Sequence, residues 1–86
     1  MSISVNTENK TAVQKCIADL ENTIAELKKG TSNTKEVISK VGATKLDANM
    51  AEAEEATASI VKSLETVIVN LQELCKMYES VDEAFN

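Results

Sequence analysis

Proline is absent from the 86 residues, and glycine occurs only at Gly30 and Gly42. Long helices can therefore run without a backbone break. Histidine is also absent and there are two cysteines, Cys16 and Cys75. That leaves too few soft ligands for a metal site and no Cys–His or Ser–His pair for nucleophilic catalysis. There is no tryptophan, one tyrosine and one phenylalanine, so any core has to be aliphatic. Arginine is missing, and nine lysines face fourteen acids for a net charge of −5. An acidic chain without basic clusters repels a phosphate backbone, which argues against nucleic-acid binding. No run approaches the roughly 20 apolar residues of a membrane span. The first eight residues, MSISVNTE, lack the basic and apolar regions of a cleavable signal peptide. Export is therefore expected only by a route that reads no such signal.

What the chain has instead is periodicity. From Leu46 to Phe85, apolar or small residues recur at alternating steps of four and three. Met50, Thr57, Leu64, Leu71, Tyr78 and Phe85 occupy heptad position a, and Leu46, Ala53, Ile60, Val67, Leu74 and Val81 occupy d. This spacing keeps one stripe on one side of a long helix. Val61, Ile68 and Cys75 form a further apolar row at e, so the stripe is wider than a two-helix contact needs. The first half repeats the pattern more narrowly. Ile17, Ile24, Thr31 and Ile38 lie at a, and Val13, Leu20, Leu27, Thr34 and Val41 at d; Gln14, Glu21, Lys28 and Lys35 keep e polar.

The expected fold is all-α: an antiparallel two-helix hairpin forming one domain over 1–86 and completing a four-helix bundle with a partner. Helix 1 is placed at about 7–41, with Asn6 or Thr7 as its cap and the preceding residues frayed. Gly30–Thr34 is read as a polar dent in a continuous helix, although Asn33 and Glu36 resemble a capping box that would start a new one. The turn falls at about 42–46, with Gly42 in the left-handed conformation that ends a helix and Thr44 capping the next. Helix 2 then runs over about 47–83. A short turn pairs Thr34 with Thr57, Leu27 with Leu64 and Ile24 with Val67. It places the two cysteines at one height on opposite flanks, each at least half-buried and unpaired. The e row is then only partly covered within one chain. The surface expected to bind a helical partner is Ile60, Val61, Leu64, Val67, Ile68, Leu71 and Cys75.

Enzymatic activity is not expected, and no cofactor or metal is implied. The acidic run Glu52, Glu54, Glu55 suits the start of a helix, where carboxylates favour the dipole. Tyr78 and Asp82 stand one helical turn apart at the far end, with Glu83 alongside. They are either a compact recognition epitope or a seam residue next to an exposed end charge.

Taken together, small size, acidity, two helices about a central turn and Tyr78-x-x-x-Asp82 after the long second helix resemble the WXG-motif family of type VII secretion. Where that family carries Trp-x-Gly, this chain has Lys40-Val41-Gly42. It is most similar to the Trp-less helical partners of LXG-type toxins. The resemblance implies a targeting factor that binds a toxin's helical N-terminal domain in the cytoplasm and is then secreted by a Gram-positive type VII route. It also implies that Tyr78 and Asp82 act as the export signal read by the machinery. The alternative is a homo-oligomeric coiled-coil module.

Overall fold

The computed structural model describes the backbone of residues 3–85 and the side chains of residues 6–81. It is an all-α helical hairpin. Helix α1 spans Ile3–Lys40, a 3-10 turn spans Thr44–Leu46, and helix α2 spans Asp47–Phe85. The hairpin measures 63 × 16 × 14 Å. Each helix thus has one neighbour and can bury one stripe.

Helix α1 is continuous through Gly30–Thr34. The capping-box alternative at Asn33 is not used, because threonine hydroxyls satisfy helix carbonyls from within. Thr31 donates to the Leu27 carbonyl and Thr34 to that of Gly30, each at 2.8 Å. The helix also starts earlier than expected, at Ile3 rather than beside a cap at Asn6 or Thr7. Asn6 is instead a buried residue inside it, 2% exposed, and its Oδ1 has no hydrogen-bond partner.

Helix α1 ends as its glycine dictates. Gly42 has φ +70°. The Ala43 N–H donates to Ile38 O at 3.0 Å and the Gly42 N–H to Ser39 O at 3.2 Å, the paired bonds of a Schellman ending. The cap expected from Thr44 is not formed. The 3-10 turn has no side-chain cap, and the Asp47 N–H donates to the Thr44 carbonyl. The backbone therefore tightens into the next helix without help from the hydroxyl.

The two glycines differ in what a methyl group would do. A Cβ at either position meets nothing within 4 Å, so only backbone conformation decides. Gly30→Ala is expected to stabilise the hairpin by about 1 kcal/mol, as helix propensity requires. Gly42→Ala is expected to destabilise it by about 1 kcal/mol, because an L-residue resists the left-handed region. Paired urea denaturation curves check both signs.

Register and rotation differ from the sequence expectation. Thr57 meets Thr31, oxygen to oxygen at 3.0 Å, and not Thr34, which is exposed. Helix α1 is thus displaced by three residues relative to the expected pairing. The physical cause is the turn. Helix α1 stops at Lys40 and the Thr31–Thr57 contact centres the reversal on Thr44, whereas pairing Thr34 with Thr57 would centre it between Lys45 and Leu46.

The rotation of α2 matters more. Val61, Ile68 and Cys75 are 6%, 9% and 8% exposed, whereas Ile60 and Val67 are 49% and 44% exposed. Val61, Ile68 and Ile24 form the core cluster, with Ile17, Leu20 and Leu64 packed against it. The row expected to lie partly open is therefore the centre of the hairpin, and the d row is turned outward.

Two cross-helix ion pairs lie on the flank selected by this rotation. Lys35 meets Glu54 at 3.2 Å and Lys10 meets Glu79 at 3.0 Å. Each contributes about 0.2–1 kcal/mol.

Candidate docking face

Both helices expose a long side without charge, and the rotation of α2 places these sides next to each other. On α2 the outward d row carries Ala53, Ile60, Val67, Leu74 and Val81, continued by Leu46 in the turn, and the adjoining g row carries Asn49, Ala56, Ser63, Asn70 and Met77. On α1 the matching row is Asn9, Cys16, Thr23, Gly30 and Val37. A notch of about 580 Å³ bounded by Thr23, Gly30, Leu27, Thr31, Met50 and Ala53 shows that these rows share one side of the hairpin. The other side is lined by Lys28, Lys35 and Glu54 around Thr57 and Val61, so it carries charge and an ion pair.

The notch follows from local sequence. Gly30 and Ala53 present almost no side chain, and the Thr31–Thr57 contact is small. The helices therefore meet with little bulk near the turn, while Ile17, Leu20, Ile24, Leu64 and Ile68 fill the seam farther along. Along the open face, Ile60, Val67, Met77 and Val37 are exposed at 49%, 44%, 64% and 57%, and Leu74 is half-buried. Isolated exposed apolar residues are ordinary, but a row of them at heptad spacing with no intervening charge marks a contact surface.

The expected partner-binding residues separate into three groups. Ile60 and Val67 lie on the open face. Leu64 and Leu71 are half-buried at its inner edge. Val61, Ile68 and Cys75 are interior to the hairpin, where helix α1 already occupies their contact surface, so they cannot contact a partner without the hairpin opening. The sequence reading passed over Met77, Val37 and the uncharged g row. Their signal was absence of charge, which a search for apolar periodicity does not weigh.

Both cysteines are free thiols. Cys75 is buried as expected, but Cys16 is exposed, because its row flanks the seam on the open face. Tyr78 is half-buried at the end of the seam. Asp82 lies within α2, and its side chain is outside the described residues, as is that of Glu83. Neighbouring Glu79 is held by Lys10.

Among the described residues no group of three or more His, Cys, Asp or Glu side chains is placed to hold a metal ion. No described helix is long and apolar enough to cross a membrane. The chain matches no protein-family model, no curated protein and no solved structure.

Proposed function

We propose that this chain is the small helical subunit of a protein–protein complex, acting as a targeting factor for a type VII secretion substrate of the LXG-toxin kind. The observation that carries the binding part is the exposed, charge-free row of Ile60 and Val67 on α2. A lone hairpin leaves that row in water. Covering an apolar side chain stabilises a complex by about 1.5–3 kcal/mol each when burial is complete. A four-helix arrangement buries such a row while keeping the ion-paired side in solvent.

The export part rests on Tyr78 and Asp82 and on the resemblance already described. Both lie at the end of α2 away from the turn, at heptad positions a and e rather than on the d and g rows of the open face. Tyr78→Ala and Asp82→Ala are each expected to leave the complex with the substrate intact and to stop its appearance outside the cell. Co-purification from cell lysate, compared with immunodetection in the medium, separates the two effects. Joint loss of binding and export in both variants would show that the signal and the binding surface are one.

A homo-oligomeric scaffold is the second reading, since a second copy also presents an apolar face. Sedimentation of the isolated chain separates the two: a stable dimer or tetramer supports the scaffold.

A further inference from the structure

The borders of the open face carry information that the face itself does not. On α1 the bordering row holds Asp19, Glu26 and Lys40; on α2 it holds Glu52 and Glu73, and Lys45 continues it into the turn. All six are exposed. The uncharged surface is thus edged by four acids along its length and by two lysines at the turn. Glu26 also lines the notch. The opposite side of the hairpin differs, because there Lys10 and Lys35 meet Glu79 and Glu54.

We propose that the open face docks a helical partner whose own apolar stripe is edged by lysine or arginine, and that the acidic border disfavours a second copy of this chain. The proposal rests on the reading of the chain as one subunit of a helical complex, and is independent of any role in export. Edge charges in helical assemblies choose the partner more than they set its strength. A second copy laid face to face would bring acidic border against acidic border, whichever way its helices ran. A basic-edged helix meets opposite charge along both borders. The notch at Gly30 and Ala53 adds shape selection, since it has room for one large side chain from the partner.

The test uses the full chain with two synthetic helical peptides of about 35 residues, long enough to reach ~50 Å along the hairpin. Both carry leucine and isoleucine at a and d; one has lysine and the other glutamate at e and g. The lysine peptide is expected to bind, measured by fluorescence anisotropy, and to weaken at least about tenfold between about 50 and about 500 mM salt. The glutamate peptide is expected not to bind. The double variant Ile60→Gln/Val67→Gln should lose binding while keeping its helical circular dichroism. Replacing Asp19, Glu26, Glu52 and Glu73 by lysine should exchange the preference toward the glutamate peptide. Equal binding of both peptides would overturn the proposal. So would a wild-type dimer at micromolar concentration that the Ile60→Gln/Val67→Gln variant dissolves. Failure of the export assay alongside successful peptide binding would remove the secretion role and leave this inference standing.

Discussion

Ile68→Asp is expected to unfold the isolated chain. Ile68 is 9% exposed and belongs to the core cluster with Ile24 and Val61. The described side chains include no fully buried large residue, so the hairpin has little stability in reserve. A single small core rarely supplies more than ~3–5 kcal/mol. An unpaired carboxylate in that seam costs about as much, since neither Ile24 nor Val61 offers a hydrogen bond. Far-UV circular dichroism should show most of the helical signal lost at room temperature, with Ile68→Val as the control, costing about 1 kcal/mol. A cooperatively folded Ile68→Asp chain would mean that the seam does not run through this row.

Val67→Glu combined with Ile60→Glu is expected to have the opposite profile. These residues are neighbours of the core row in sequence and are 44% and 49% exposed. Fold stability of the free chain should stay within about 0.5 kcal/mol of wild type, as for most surface substitutions. Binding to the helical partner should fall by more than about a hundredfold, because docking would press two carboxylates into the partner's apolar stripe and desolvate them. Co-purification with the exported substrate, measured beside a thermal melt of the free variant, reads both quantities. Unchanged co-purification would sink the open face as the docking surface. Adjacent residues of the same chemistry, Val67 and Ile68, are thus predicted to fail in different assays, one in binding and the other in folding.

That contrast changes how a mutation scan of α2 should be read. A charged residue at Val61, Ile68 or Cys75 would also abolish complex formation, but only because the hairpin is lost. Only positions such as Ile60, Val67 and Met77 test the partner surface directly. The notch near Gly30 offers a milder route, since filling it removes room for a partner side chain without adding charge.

Much of the architecture was legible before any coordinates. The four-three spacing, the missing proline and Gly42 together required two long antiparallel helices, and Gly42 takes the left-handed conformation expected of it. The polar dent at Gly30–Thr34 is helix, as its unbroken spacing implies, because threonine hydroxyls bond back to carbonyls one turn earlier. The heptad pattern even contained the true seam. Met50, Glu54, Thr57, Val61, Leu64, Ile68, Leu71, Cys75 and Tyr78 follow the same four-three steps as the alternative stripe through Ile60 and Val67.

Because both stripes obey one period, sequence alone determined that α2 carries three adjacent apolar rows and could not choose which two face α1. Tertiary structure made that choice. Helix α1 has an apolar stripe only wide enough for two rows, and the e row of α2, through Val61 and Ile68, is the one that packs on Ile24. The turn geometry then set which threonine meets Thr57. Local periodicity specifies a face to within a row, whereas the rotation of one helix against another depends on contacts between residues far apart in the chain.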